Sequence, residues 1–181
     1  HYEVEKGEFI GNALVSATLF DPKSAQVKKV DNDYFKFAYD YSRIQETEEI
    51  VVDATFGVQS SKDKDNLWQK ATNDVKRRNE EQPVGVACSG CIFQNISPQD
   101  AQRLDTPNYT TSTGHIIERL GLKGKRIGGA EISTRHANYI LNTKEASAKN
   151  VYDLINLIKD KAKSDLGLEL KEEIFLIGNF N

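Results

Sequence analysis

The chain is 181 residues long, with 38% hydrophobic and 28% charged residues, which is typical of a globular protein with its own buried core. Its net charge of -3 gives no general attraction to nucleic acid or to an acidic membrane, so an anionic ligand would need a local positive field. Two cysteines are too few for a disulfide framework, and we expect a reducing cytoplasm. The sequence begins at His1 and contains no methionine, which suggests an internal piece of a longer product.

The first part of the sequence is rich in strand-forming residues. Residues 13–20 form an apolar run, and residues 25–30 alternate weakly after a turn at 21–24, which predicts a β-hairpin. Residues 49–58 predict a third strand. No helix is predicted before about residue 62.

A polar stretch at residues 59–65 predicts a boundary, and a helix follows it and ends before Pro83. Apolar residues on this helix recur with helical spacing and share one face. The residues of this face are Leu67, Trp68, Ala71 and Val75.

Capping signals predict three further helices. Ser97 precedes Pro98 as an N-cap with proline at the first helical position. Ser112 or Thr113 caps a short second helix, and Ser147 caps a long third helix. The long helix ends at Gly167 and has a clear apolar face. The residues of this face are Val151, Leu154, Ile155, Ile158 and Ala162.

Short strands are predicted at residues 126–132 and 138–142, and a last strand at residues 170–177. Strands in the first region, followed by helices that alternate with strands, predict an α+β fold. We therefore predict one domain ending near residue 59 and a second α+β domain over residues 60–181.

Four segments in the second region, taken in order, are similar to those of a known family. They are residues 89–95 (SGCIFQN), 116–130, 133–142 and 170–178. Together they resemble the C-terminal part of the UDP-N-acetylenolpyruvoylglucosamine reductase (MurB) family. More loosely, Phe37-Ala38-Tyr39-Asp40-Tyr41-Ser42 resembles the family's F-x-Y-R-x-S, which implies that residues 1–59 are the tail of its FAD-binding domain. Residues 60–181 would then be its C-terminal substrate-binding domain.

The resemblance implies an NADPH-dependent flavin oxidoreductase of peptidoglycan precursor synthesis. In this family NADPH reduces FAD, and UDP-N-acetylglucosamine enolpyruvate is reduced to UDP-N-acetylmuramate. The substrate receives a hydride at its β-carbon and a proton at its α-carbon. Negative charge builds on an enolate in this reaction, so the site needs a proton donor and a group that stabilises that charge.

Two residues match the family's catalytic positions. Cys91 matches the proton donor, which is serine in many members and cysteine in others, and a thiol gives up a proton more readily than an alcohol. Glu173 matches the carboxyl group that stabilises the enolate, a role that requires it to donate a hydrogen bond. Without these motifs, a buried inert cysteine and a solvent-facing glutamate are the more common outcomes. The neighbouring Glu172 should point to the opposite face of the predicted strand.

Four further residues match positions that bind substrate in the family: Tyr39, Ser42, Asn95 and His136. For His136, a surface or supporting role is about as probable as ligand contact on sequence grounds alone. Lys125 and Arg126 are candidates for local positive charge, although a solvated ion pair is the more common arrangement for such residues.

The sequence departs from the family in two places. Asp40 stands where the family has a catalytic arginine, and Arg43 is our candidate for its replacement because it lies three residues further on. The glycine-rich stretches with which the family holds the FAD pyrophosphate are absent, and Gly128-Gly129 does not replace them. We therefore expect FAD binding to require an upstream FAD-binding segment of the same enzyme.

Two other classes of function stay open on the sequence. Cys88 and Cys91 form a C-x-x-C, which elsewhere is a redox dithiol or half of a zinc site. A zinc site would need two of the three histidines, and a thioredoxin-like motif would need a strand before Cys88, which the sequence does not predict. The second alternative is a binding module that keeps the nucleotide-sugar site but is catalytically impaired, as Asp40 suggests.

Overall fold

The computed structural model of the chain describes residues 9–58, 60 and 62–179. His1 and two residues of the predicted boundary, 59 and 61, lie outside this set. The chain forms two compact units, the first ending at Lys64 and the second beginning at Asp65, a division that lies within the polar stretch at residues 59–65. Each unit contains helices and an antiparallel sheet, so the fold is α+β as predicted. No helix in the described residues is long and apolar enough to span a membrane.

The first unit is built on a three-stranded antiparallel sheet in the order β2-β1-β3. Its strands are β1 (Leu14–Asp21), β2 (Gln26–Asp31) and β3 (Ile50–Phe56), which confirms the predicted hairpin and third strand. Two one-turn helices, α1 (Ile10–Ala13) and α2 (Ile44–Thr47), were not predicted, because a single turn carries too few residues to show helical periodicity.

The core of the first unit lies on one face of β1. Ala17 and Leu19 alternate on that face and are buried, as the two-residue period of a strand requires. Leu14 is also buried although it lies three residues before Ala17, because a bulge between Leu14 and Ser16 changes the alternation. Phe35 completes this small core.

The second unit has a four-stranded antiparallel sheet in the order β4-β7-β6-β5. The strands are β4 (Ala87–Cys91), β5 (Arg126–Ile127), β6 (Ala130–Ile132) and β7 (Tyr139–Asn142). Its helices are α3 (Lys64–Glu81), which begins at the division between the units, α4 (Pro98–Arg103), α5 (Thr113–Arg119) and α6 (Ala148–Leu166).

The predicted helix caps are confirmed. The side chains of Ser97, Ser112 and Ser147 each accept a hydrogen bond from a backbone N–H of the first turn of α4, α5 and α6. Gly167 ends α6 in the left-handed conformation. The predicted face of α6 packs into the main core of the unit, with Leu154, Ile155, Ile158 and Ala162 buried and Val151 partly buried.

Helix α3 is confirmed, but its apolar face is exposed. No side chain of α3 is buried; Trp68 is 77% exposed and Val75 is 58% exposed. Apolar residues with helical spacing indicate that a helix has an apolar face. The spacing does not indicate whether another element covers that face. The end of the helix is nevertheless tied to its own unit, because Arg135 Nη1 donates to the carbonyl oxygens of Asn79 at 2.7 Å and Gln82 at 3.1 Å.

One strand prediction is corrected, and one strand of the structure was not predicted. Residues 170–177 do not form a strand; the segment makes one isolated bridge, between Glu172 and Phe93, and Phe175 beyond it is 84% exposed. Conversely, Cys88 and Cys91 both lie within β4, which begins at Ala87 and pairs with β7, so the C-x-x-C does not follow a strand as a thioredoxin-like motif would. The small residues of β4 have weak intrinsic strand preference, so the pairing itself makes this segment a strand.

The tight turn between β5 and β6 generates a stability prediction. The carbonyl of Gly129 accepts hydrogen bonds from the backbone N–H groups of Thr143 and Lys144, at 2.9 and 3.2 Å. A Cβ at Gly129 would lie only 2.0 Å from the carbonyl oxygen of Lys144. We expect Gly129→Ala to lower the free energy of unfolding by more than about 3 kcal/mol, because backbone atoms must move. Urea denaturation followed by circular dichroism measures this.

The matched control is Gly121→Ala. Gly121 has a φ of +70°, and a Cβ there would have no neighbour within 4 Å. Gly121→Ala should therefore lower the free energy of unfolding only by the cost of placing an alanine in the left-handed conformation, about 1–2 kcal/mol. Equal losses for the two variants would show that the close approach at Gly129 does not constrain the fold.

Candidate active site

Cys91 lies at the end of β4, opposite Tyr139 of β7 in the strand register. Its side chain is partly buried, and burial raises the pKa of the Cys91 thiol above its ordinary value. The hydroxyl of Tyr139 and the side chain of Asn138 lower this pKa by hydrogen bonding, whereas the charge of Glu173 raises it further. The net shift is upward, so Cys91 is a protonated thiol at neutral pH and can act as a proton donor.

Glu173 is brought to Cys91 by the backbone of the C-terminal segment. Glu173 N donates to Ile92 O at 2.8 Å, and Gln94 N donates to Lys171 O at 2.9 Å. These two hydrogen bonds hold residues 171–173 beside the residues that follow Cys91. The structure therefore brings the predicted proton donor and the predicted carboxyl group together, close enough for the charge of Glu173 to act on the thiol.

The neighbouring Glu172 makes a separate contact. Its carboxylate forms an ion pair with Lys159 Nζ on α6, at a distance of 2.7 Å. This ion pair anchors the segment to the long helix. Glu172 therefore has a contact of its own on α6, separate from the contacts of Glu173.

Asn138 holds the residues after Cys91 in place. Its side-chain amide accepts a hydrogen bond from Phe93 N at 3.0 Å and donates one to Phe93 O at 2.8 Å, and its carbonyl accepts from Ile92 N at 2.8 Å. Asn138 is only 3% exposed, and Phe93 is fully buried. Neither Asn138 nor Tyr139 was a candidate on the sequence. The signal available in the sequence was the amide side chain of Asn138 among apolar residues, because a buried amide requires hydrogen-bond partners.

His136 lies next to this cluster and borders a cleft. Its Nδ1 accepts a hydrogen bond from Asn138 N at 3.3 Å, and its ring meets that of Tyr139 edge-on with centroids 5.0 Å apart. Burial lowers the pKa of His136 below its ordinary value, so the ring is neutral at pH 7. Because Nδ1 accepts, Nε2 carries the proton and is available as a donor. A Cβ at Gly114 would approach the ring to 2.8 Å, so glycine there makes room for His136.

The cleft beside His136 has a volume of about 190 Å³ and carries mixed charge. Lys123 and Arg135 contribute positive groups, and Lys123 Nζ is paired with Glu118 at 2.8 Å. The residues that line it include Ser112, His115, Glu118, Lys123, Arg135 and His136. Two cations and two histidines suit a cleft that binds an anion.

The remaining candidates of the second unit lie at its surface. Asn95 is exposed, two residues after the buried Phe93. Arg126 forms an ion pair with Glu131, with its Nη2 2.6 Å from the carboxylate, which is the paired arrangement expected from the sequence. Cys88 is exposed and both cysteines are free thiols. Among the residues that the structure describes, no three His, Cys, Asp or Glu side chains are grouped as a metal site.

The other three candidates lie in the first unit. Ala38 and Tyr41 exchange two backbone hydrogen bonds that close a turn at Tyr39 and Asp40, and Asp40 has a left-handed φ of 49°. Tyr39 is 53% exposed. Ser42 Oγ is buried and has no hydrogen-bond partner within the described part of the chain.

Arg43 is oriented by the aromatic ring of Tyr34. Its guanidinium carbon lies 4.5 Å from the centre of that ring, a cation–π contact, and its backbone N–H donates to Phe35 O at 2.7 Å. The contact with Tyr34 thus positions the guanidinium of Arg43.

Residues 82–177 match the family model described as UDP-N-acetylenolpyruvoylglucosamine reductase, C-terminal domain. The chain belongs to this family. The matched range contains Cys91, Asn95, His136 and Glu173. The remaining candidates of the first unit, Tyr39, Ser42 and Arg43, precede it.

Individual relatives extend the similarity to the first unit. A UDP-N-acetylenolpyruvoylglucosamine reductase from Synechococcus sp. (strain RCC307) is 34% identical over 97% of this chain and 53% of its own length. One from Bacillus pumilus (strain SAFR-032) is 34% identical over 97% of this chain and 54% of its own. The crystal structure of the reductase (MurB) from Thermus caldophilus superimposes with a TM-score of 0.69 at 26% identity, covering 90% of this chain and 52% of that chain. The chain thus spans about half the length of these relatives.

The lowered pKa of His136 predicts a pH dependence of stability. The unfolded chain binds a proton at His136 more readily than the folded chain, so this contribution to stability is complete above pH 6.5 and is lost as the pH falls below 6.5. We expect His136→Gln to remove part of the loss of stability between about pH 7 and about pH 5. Urea midpoints across this range measure it.

His115→Gln is the matched control on the same cleft. The His115→Gln variant should lose stability at low pH as the wild type does, because His136 is still present. Parallel pH profiles for wild type and His136→Gln would contradict the burial of a neutral His136.

Proposed function

We propose that this chain is the substrate-binding part of an enzyme that reduces UDP-N-acetylglucosamine enolpyruvate to UDP-N-acetylmuramate. The observation that carries the proposal is that Cys91 and Glu173 lie close together in a chain of this family. The hydrogen bond from Glu173 N to Ile92 O holds Glu173 beside the residue that follows Cys91. A half-buried protonated thiol beside a carboxyl group suits protonation of an enolate.

Cys91 acts as the proton donor in this proposal. Its S–H bond breaks, the proton forms the new C–H bond at the substrate α-carbon, and the electron pair remains on sulfur as a thiolate. Glu173 in its protonated form stabilises the enolate by donating a hydrogen bond to it, whereas its ionised form raises the pKa of the thiol. The raised pKa of the thiol keeps the proton in place until the enolate forms, because only the protonated thiol is a donor.

The cleft beside His136 is proposed to hold the diphosphate of the substrate. Lys123 and Arg135 provide positive charge, and the neutral His136 provides a hydrogen-bond donor at Nε2. Asn95, which follows the same segment as Cys91, is proposed as a second polar contact to the substrate. Ser42 is proposed as a further contact, because its buried hydroxyl has no hydrogen-bond partner among the described residues, and Tyr39 is proposed because it matches the family's motif.

Two cofactors are part of the proposal. FAD would supply the hydride for the β-carbon, and NADPH would reduce the flavin. Within the described part of the chain, the Gly128-Gly129 turn does not fit the FAD pyrophosphate, because Gly129 packs against the backbone of Lys144 and the turn is occupied by its own neighbours. An upstream FAD-binding segment of the same enzyme is therefore the proposed partner of this chain.

A reductase assay tests the proposal. The enzyme complete with its FAD-binding segment is supplied with NADPH and the enolpyruvyl substrate, and NADPH oxidation is followed. We expect turnover by the wild type and a loss of roughly 10²–10⁴-fold in kcat for Cys91→Ala, because the proton donor is removed.

Cys88→Ala is the matched control, since its thiol is exposed and lies three residues away on the same strand. It should retain wild-type turnover. Substrate binding without turnover by the wild type would overturn the enzymatic proposal and leave a catalytically impaired binding module. Equal losses for both cysteine variants would instead favour the dithiol interpretation of the C-x-x-C.

We also propose that Arg43 replaces the arginine that the family has at the position of Asp40. Its guanidinium is ordered over the ring of Tyr34, which reduces the entropy lost when it binds an anion. We expect Arg43→Ala to lower kcat roughly 10²-fold, the usual effect of removing one group that stabilises transition-state charge.

Arg77→Ala, which removes an exposed arginine of α3 paired with Asp74, is the charge-matched control and should leave turnover unchanged. Arg43→Lys keeps the positive charge and should be less impaired than Arg43→Ala. Wild-type turnover by Arg43→Ala would eliminate the replacement role.

A further inference from the structure

Tyr139 is the residue that faces Cys91 most directly across the sheet. The two are register partners in the antiparallel pair of β4 and β7. Residues directly opposite in such a pair have Cβ atoms about 5 Å apart and point to the same face of the sheet. Tyr139 is only 7% exposed, and a buried tyrosine hydroxyl requires a hydrogen-bond partner. The nearby sulfur of Cys91 provides one.

The groups around the Cys91 sulfur differ in whether they favour or oppose its ionisation to the thiolate. Glu173 approaches from the C-terminal segment and opposes a negative sulfur, whereas Tyr139 and Asn138 favour it by hydrogen bonding. The amide of Asn138 is already engaged with both backbone groups of Phe93, so its freedom to turn toward the sulfur is limited. His136 packs on the ring of Tyr139, and Cys88 is on the same strand as Cys91. The tyrosine hydroxyl is therefore the main donor toward sulfur.

Building on the proposed function, we infer that the Tyr139 hydroxyl is a positioning residue for the reaction: it holds the Cys91 thiol and stabilises the thiolate left after proton donation. In this step the S–H bond breaks, the proton goes to the substrate α-carbon, and the electron pair stays on sulfur. The O–H bond of Tyr139 is not broken; it donates a stronger hydrogen bond once the sulfur is charged.

The ring of Tyr139 has a separate role that a substitution can preserve. It meets His136 edge-on, with an interplanar angle of 69°. Tyr139→Phe keeps this ring contact and the buried volume and removes only the hydroxyl. The variant therefore separates an effect on the Cys91 sulfur from an effect on packing or on His136.

The first experiment measures the thiol directly in this 181-residue chain. Cys88→Ser removes the exposed thiol, and the rate of alkylation by iodoacetamide is measured against pH with and without Tyr139→Phe. We expect Tyr139→Phe to move the midpoint of the alkylation profile to higher pH and to slow alkylation at neutral pH roughly tenfold, the effect of one pKa unit on thiolate concentration. An unchanged midpoint with unchanged circular dichroism would overturn the inference, whatever the enzyme does.

The second experiment uses the enzyme complete with its FAD-binding segment. Tyr139→Phe should lower kcat roughly tenfold with little change in KM for the enolpyruvyl substrate, and it should move the alkaline limb of the kcat profile upward, because the donor thiol loses its proton at higher pH. Cys88→Ser alone should match the wild type. A changed KM with an unmoved alkaline limb would show a purely structural role and overturn the inference.

The two experiments distinguish the possible failures. A shifted alkylation midpoint with no turnover by the wild-type enzyme would support the contact between Tyr139 and Cys91 and overturn the proposed function. A shifted midpoint with unchanged kcat in an active enzyme would overturn the catalytic relevance of the contact.

Discussion

The second unit depends on how the three residues Cys91–Phe93 are held. Asn138 bonds both backbone groups of Phe93 through its side chain and bonds Ile92 N through its carbonyl, while Ile92 O accepts from Glu173 N. A single short stretch is thus paired with β7 on one side and with the C-terminal segment on the other. Because buried backbone groups must be hydrogen bonded, the loss of either partner would leave polar atoms unsatisfied. The position of the thiol follows from this pairing.

The environment of the site also decides which groups carry charge. Burial raises the pKa of Cys91 and lowers the pKa of His136, so the thiol keeps its proton and the imidazole stays uncharged. Lys123 and Arg135 remain the positive groups of the adjacent cleft. The groups that keep or lack a proton through burial and the groups that carry positive charge are therefore different side chains.

Local features of the fold were predictable because they depend on neighbouring residues. Ser97, Ser112 and Ser147 cap helices through contacts within one turn, and Gly167 ends α6 because glycine tolerates a positive φ. Features that depend on distant partners were not predictable. The face of α3 containing Trp68 is apolar yet exposed, and residues 170–177 form one isolated bridge, with Phe93, in place of the predicted strand.

By itself the sequence determined the caps, the hairpin of the first unit, the long amphipathic helix and the motifs that place Cys91 and Glu173 in a known family. Each of these is set by residues close together along the chain. Only the tertiary structure decided that β4 is a strand, that Asn138 clamps Phe93, and that Tyr139 faces Cys91. These contacts join residues 45 or more positions apart, and such contacts arise from strand register and packing, which leave no periodic pattern in the sequence.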